Sequence, residues 1–151
     1  MFVKALWIAV ITITLFCVYT SAQLISQLCI GCLCEVSSGC NTSIGCSGSV
    51  CGPFGITWDY WSDAGKPTLN NETINNDSYS KCVNDPYCAA STVQNYMTKF
   101  GHDCTGNAVI DCEDYLRIHR LGVNGCTDTL DNKYQEILKL CLEKYQFVTQ
   151  N

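Results

Sequence analysis

The cysteines constrain this chain more than any other feature. Thirteen of its 151 residues are cysteine, in the range, above ~8%, that marks a disulfide scaffold. They run from Cys17 to Cys141, and their spacing alone does not decide which of them pair. The length suits one domain. Nine Lys and Arg stand against 14 Asp and Glu, a formal charge of −5. That is not the basic footprint of a nucleic-acid or anionic-surface binder, and no nucleic-acid partner is expected.

The N-terminus indicates the compartment. Lys4 precedes an almost wholly apolar run from Ala5 to Val18, and Thr20-Ser21-Ala22 offers small residues for cleavage. Residues 1–22 read as a signal peptide and 23–151 as a secreted domain. The apolar run is shorter than the ~20 residues of a spanning helix, so no membrane span is expected. Removing the leader takes Lys4 and Cys17 with it and leaves 12 cysteines, an even number that suits six bridges.

Cys29-Ile30-Gly31-Cys32-Leu33-Cys34 also has spacing compatible with thiolate metal ligation. The oxidising secretory route makes disulfides the default, and only His102 and His119 add nitrogen donors. No metal and no cofactor are expected, and nothing specifies an oligomeric state. Sequons at Asn41, Asn71 and Asn76 offer glycosylation sites, two of them in a polar stretch, Thr68 to Ser80, that reads as an exposed loop.

Apolar periodicity predicts a helix-dominated α+β domain. Leu24, Ile25, Leu28, Cys29 and Cys32 recur at helical spacing, giving a first helix from Gln23 to about Val36, stopped by Gly39. The Gly-, Ser- and Thr-rich segment Cys40 to Tyr60 suits a small hairpin region with a glycine turn at Gly52-Pro53. Asp85 and Pro86 open a second helix that Gly101 ends. Asp111 to His119, ended by Gly122, and Asp128 to about Tyr145 complete the helices. His102, after a helix-ending glycine, is expected to be exposed.

Ordered cysteine-anchored motifs add information that periodicity does not carry. Cys32-Leu33-Cys34-Glu35, Ser38-Gly39-Cys40, Ile44-Gly45-Cys46, Cys51-Gly52-Pro53-Phe54, Tyr60-Trp61-Ser62-Asp63 and Gly65-Lys66-Pro67 follow one another. Val93-Gln94-Asn95-Tyr96-Met97, Phe100-Gly101, Arg117-Ile118-His119 and Asn124-Gly125-Cys126 continue the series. Together they resemble the invertebrate-type lysozymes, also called destabilases, over nearly the whole mature chain. The resemblance implies a lysozyme-like α+β fold and, as ligand, bacterial peptidoglycan or a related amino-sugar glycan. The family's activity is hydrolysis of the glycan strand in defence or digestion, with isopeptide cleavage in some members.

Retaining glycan cleavage needs two carboxyl groups about 5–5.5 Å apart. In active members the acid is a glutamate where Ser37 stands here, and a hydroxyl cannot replace a carboxylic acid as proton donor. Glu35 is the nearest substitute. Two residues along a helix turn a side chain by about 200°, so Glu35 is expected to point away from the cleft. The family aspartate falls in a loop that is only Ser47-Gly48-Ser49-Val50 here, while Asp63 matches a family aspartate of supporting role.

Lys66 matches the lysine proposed as base for isopeptide cleavage, which needs an adjacent serine nucleophile. Val50 occupies the serine's position, leaving Ser47, Ser49 or Ser62. Muramidase activity is therefore expected to be weak or absent, with a silent glycan-binding protein as alternative and a Ser/Lys isopeptidase behind it. Trp58, Tyr60 and His119 are the candidate substrate-binding residues, Trp58 and Tyr60 by stacking on sugar rings; Trp61 is expected in the core. The resemblance also implies the bridges Cys29–Cys104, Cys32–Cys141, Cys34–Cys40, Cys46–Cys51, Cys82–Cys88 and Cys112–Cys126. Ala64 and Thr92 stand where many members carry a further paired cysteine.

Overall fold

A computed structural model describes residues 24–148, with side chains through 145. The leader 1–22 and Gln23 lie outside the described residues. Ten short elements follow: α1 (Gln27–Ser38), β1 (Cys46–Ser47), β2 (Val50–Cys51), β3 (Ile56–Thr57), α2 (Trp58–Asp63), a 3-10 turn (Leu69–Asn71), α3 (Ser78–Asn84), α4 (Pro86–Phe100), α5 (Cys112–Leu121) and α6 (Asn132–Val148). The class is the expected α+β with helices dominant.

Helix α1 is the hub, packed chiefly on α6 and also against α4 and α5. Ile30, Cys32 and Leu33 on its inner side are buried. Its start is set by Ser26, whose hydroxyl accepts the Cys29 N–H at 3.1 Å, later than the Gln23 that periodicity alone indicated. A side-chain oxygen satisfying an orphan N–H is what fixes such an end. Gly39, at φ 65°, closes the helix with its N–H directed at the Cys34 and Glu35 carbonyls.

The sheet is antiparallel, in the order β1-β2-β3, with Cys46 opposite Cys51 and Val50 opposite Thr57. Two-residue strands cannot hold themselves together in water. The Cys46–Cys51 bridge ties the first pair, and the Tyr79 hydroxyl donates to the Ile56 carbonyl at 2.7 Å. The predicted turn at Gly52-Pro53 is the link from β2 to β3. Gly52 has φ 74°, and a Cβ there would lie 1.7 Å from the Val83 carbonyl oxygen, so only glycine fits.

Two helices depart from the sequence expectation. Trp58 to Tyr60 fell at the end of the expected hairpin region, yet Thr57 accepts the Tyr60 N–H at 3.2 Å and starts α2. Ser78–Asn84, the end of the expected exposed loop and the residues beyond it, forms α3, with Ser78, Cys82 and Val83 buried. Helix α4 has its expected bounds, its Asp85 cap accepting from Tyr87 and Cys88 at 3.0 and 2.8 Å. Helix α5 starts at an Asp111–Asp114 capping box and ends at Gly122. Helix α6 begins at Asn132, later than the expected Asp128.

Four bridges join the pairs the resemblance implied: Cys32–Cys141, Cys34–Cys40, Cys46–Cys51 and Cys82–Cys88. Two expected pairs, Cys29–Cys104 and Cys112–Cys126, are corrected: the structure joins Cys29 to Cys112 and Cys104 to Cys126. The reason lies in α5. Asp114 is buried and accepts the backbone N–H of Cys104 and of Thr105, at 2.9 and 3.0 Å. Arg117, three residues on, donates to the carbonyls of Cys126 and Asp128, at 3.4 and 3.0 Å. Residues three apart share a helix face, so both sulfurs are delivered to one flank of α5, while Cys112 at its first turn meets α1.

Candidate functional site

Ser37, on the last turn of α1, faces a polar cluster built by three other segments. Its hydroxyl lies 3.3 Å from Nε2 of His119 on α5. The same Nε2 lies 2.9 Å from the Phe54 carbonyl, in the β2–β3 link, and Nδ1 lies 3.2 Å from the Tyr60 hydroxyl of α2. This row resembles a serine activated by histidine, but the bonding assigns the opposite roles. A carbonyl only accepts, so the proton belongs on Nε2, and Nδ1 then accepts from Tyr60. The Ser37 hydroxyl in turn donates to the Leu33 carbonyl at 2.7 Å. An imidazole that presents N–H to a serine cannot take its proton, so the row braces the junction of α1, α5 and the hairpin without activating a nucleophile.

Burial, the largest cause, and the nearby Arg120 guanidinium pull the His119 imidazole down to about 4, although the Phe54 contact favours the charged form. Tyr60 sits with its ring stacked on Tyr96, centroids 3.7 Å apart, and its phenol is pushed well up by burial and then by Tyr96. One face and the hydroxyl of Tyr60 are thus committed within the protein, and His119 is committed at both nitrogens.

Glu35 lies on another side of α1. It is exposed and lines a shallow groove with Ile137, Leu140, Cys141, Lys144 and Tyr145 of α6. Ser38, by contrast, donates to the Pro53 carbonyl at 2.7 Å, on the hairpin side. The structure therefore separates Glu35 from the Ser37–His119 cluster, as the helical rotation requires. Asp63 is exposed at the end of α2; its carbonyl accepts from Lys99 at 3.0 Å, and its charge, after burial, raises the Tyr96 phenol.

Trp58 and Trp61 divide as their α2 positions dictate. Trp61 is 2% exposed, with its indole N–H bonded to the Pro67 carbonyl at 2.8 Å, and belongs to the core. Trp58 is 52% exposed, with the Lys66 ammonium 5.3 Å from its ring centre. These residues line an open depression of about 320 Å³ with Ile74, Asn75, Asn76 and Tyr79. The ammonium of Lys66 is thus placed over an indole face. Tyr79 and Asn76 were not singled out as binding residues from the sequence. The sequon was the one signal pointing to Asn76, and the burial of α3 that brings Tyr79 here has no local sequence sign.

His102, expected to be exposed, is half-buried: Nδ1 lies 2.9 Å from the Phe100 carbonyl and Nε2 3.2 Å from the Cys126 sulfur. With Cys104 it makes a trio of metal-ligand type among the described residues. Both sulfurs are already joined to each other in a disulfide, so neither is the thiolate that a metal would need.

A disulfide-stapled, helix-dominated domain with a miniature sheet and an aromatic depression beside it is the lysozyme-like class of structure. Residues 26–141 match the Destabilase family. A lysozyme of Magallana gigas is 37% identical over 131 residues, covering 83% of this chain and 83% of that one. Invertebrate-type lysozyme 3 of Caenorhabditis elegans is 32% identical over 145 residues, covering 93% and 97%. The crystal structure of Tapes japonica lysozyme superposes with a TM-score of 0.60 at 36% identity, over 76% of this chain and 89% of that one. The chain belongs to the invertebrate-type lysozyme, or destabilase, family.

Proposed function

We propose that this protein, secreted after loss of residues 1–22, recognises peptidoglycan or a related amino-sugar glycan and hydrolyses it weakly or not at all. The observation that carries the reading is the placement of Glu35. The carboxylate nearest in sequence to the family's acid position, Glu35, lies on the α6 side of α1, while Ser37 at that position is tied to His119 and Leu33. Glycosidic cleavage with retention needs an acid and a second carboxylate about 5–5.5 Å apart across the bond. The two-strand link Ser47-Gly48-Ser49-Val50 supplies no carboxylate.

Binding has a separate basis. Trp58 exposes an indole face beside Lys66, an arrangement that covers the apolar side of a sugar ring and offers an ammonium to its hydroxyl and N-acetyl groups. Lysozymes among the relatives lend this ligand class its support. The ammonium of Lys66 has the Trp58 ring as its partner, which places it poorly for activating a serine.

The test is a peptidoglycan suspension exposed to the oxidised protein, its Glu35→Gln variant and its Trp58→Ala variant, from acid to neutral pH. Turbidity should fall little or not at all against the blank, the wild type and Glu35→Gln should sediment with the glycan, and a smaller share of Trp58→Ala should do so. Clearing by the wild type that Glu35→Gln abolishes would overturn the reading and make Glu35 the acid.

A further inference from the structure

The glycan depression contains one of the chain's own glycosylation sequons. Asn76-Asp77-Ser78 fits Asn-x-Ser with x other than proline, and Asn76 lines the same depression as Trp58, Lys66 and Tyr79. Asn76 is exposed. Its neighbour Asn75 and the sequon residue Asn41 use their carboxamide oxygens in local turns, accepting the N–H of Asp77 at 2.9 Å and of Ser43 at 3.0 Å. Among the described hydrogen bonds, none engages the Asn76 carboxamide. Ser78 is 4% exposed and accepts the Asn75 N–H at 2.9 Å in the finished fold, so the sequon is open to a transferase on the nascent chain and closed afterwards.

We propose that Asn76 carries an N-linked glycan whose first N-acetylglucosamine lies against Trp58, so that the protein holds a tethered sugar in its own depression. The step joins the Asn76 amide nitrogen to the anomeric carbon of an oligosaccharide carried on a lipid-linked pyrophosphate. The pyrophosphate leaves with the electron pair, the nitrogen loses a proton, and nothing is oxidised. The proposal rests on reading Trp58 as a sugar platform. A short tether makes the contact intramolecular, at an effective concentration in the millimolar range. Stacking too weak to retain a free monosaccharide therefore suffices for an attached one, and the tethered sugar competes with any glycan arriving from outside. Occupancy of Asn76 thus becomes a control on ligand binding.

The experiment compares protein secreted from insect cells with its Asn76→Gln variant and with wild type stripped by peptide N-glycosidase after folding. Peptide mass spectrometry reads occupancy. Acrylamide quenching reads the cover over Trp58, because Trp61 is buried and Trp7 lies in the leader. Titration with chitotetraose reads competition. The Asn76 peptide should carry N-acetylhexosamine, and both glycan-free forms should show stronger quenching and about fivefold tighter oligosaccharide binding. Trp58→Phe should abolish the quenching difference. A bare Asn76, or equal quenching in all three forms, overturns the proposal. A quenching difference with no oligosaccharide binding by any form keeps the tethered sugar and overturns the glycan-recognition reading instead.

Discussion

Nδ1 of His119 and the hydroxyl of Tyr60 meet at 3.2 Å, with their rings edge-on. Because the other imidazole nitrogen is turned to the Phe54 carbonyl, this contact is made by a neutral ring that accepts from the phenol. The ring's folded-state value of about 4 against an ordinary 6.5 means that the unfolded chain binds its proton first as pH falls. Stability from this group is complete above about 6.5 and is lost as pH drops towards 4. With partial solvent access the contribution is at most about 3 kcal/mol. Thermal unfolding followed between pH 7 and 4, endpoints of roughly the span over which a histidine responds, should show a falling midpoint that flattens in His119→Gln. Parallel curves for the two proteins would show that another group controls this window.

The same cluster shows how much of the molecule could be read from its sequence. Caps were legible where one side chain decides an end, as at Asp85, Asp111 and Gly39. Helix α2 was not, because Trp58, Tyr60 and Trp61 are strand-rich residue types and the Thr57 cap that overrides them is a single hydroxyl. The separation of Glu35 from Ser37 followed from helix geometry alone. The stacking of Tyr60 on Tyr96 did not, since it depends on how α2 and α4 cross. Nor did the gathering of Trp58, Lys66 and Asn76 around one depression, which needs the chain from α2 through the 3-10 turn to fold back on itself.

The two tryptophans of α2 should separate binding from stability. Replacing Trp61, 2% exposed, with alanine should cost about 3–5 kcal/mol of unfolding free energy by the cavity it leaves. Replacing Trp58, 52% exposed, should leave the urea midpoint nearly unchanged while weakening glycan binding about three- to tenfold, the scale of one aromatic contact. Denaturant titration and peptidoglycan sedimentation on the same preparations check both. Equal effects of the two variants on stability would show that Trp58 is packed.

The pairing of Cys104 with Cys126 is open to direct mapping. Non-reducing proteolysis and mass spectrometry should recover a Cys29–Cys112 peptide and a Cys104–Cys126 peptide. Asp114→Ala should disturb the second, because three backbone N–H groups, of Cys104, Thr105 and Asp111, lose their acceptor. Of these, the Cys104 donor is buried, and leaving it unpaired costs about 1–3 kcal/mol, so the variant should be poorly secreted or should scramble that bridge. Recovery of Cys29 joined to Cys104 from the wild type would restore the arrangement expected from the family resemblance.

Gly52 couples the hairpin to α3 through a contact that has no room for a side chain. Its φ of 74° disfavours an L-residue, and the 1.7 Å from a built Cβ to the Val83 carbonyl forces backbone apart. Gly48, at φ 61°, has a similar backbone but open space around it, so it carries the conformational cost alone. Gly52→Ala should therefore destabilise by clearly more than Gly48→Ala, whose cost should be about 1 kcal/mol. The excess belongs to the displaced α3, which carries Tyr79 into the Trp58 depression. Glycan binding by the folded fraction of Gly52→Ala should fall as well, whereas Gly48→Ala should bind as the wild type does. Equal stabilities for the two variants in urea would show that α3 does not press on the hairpin at this point.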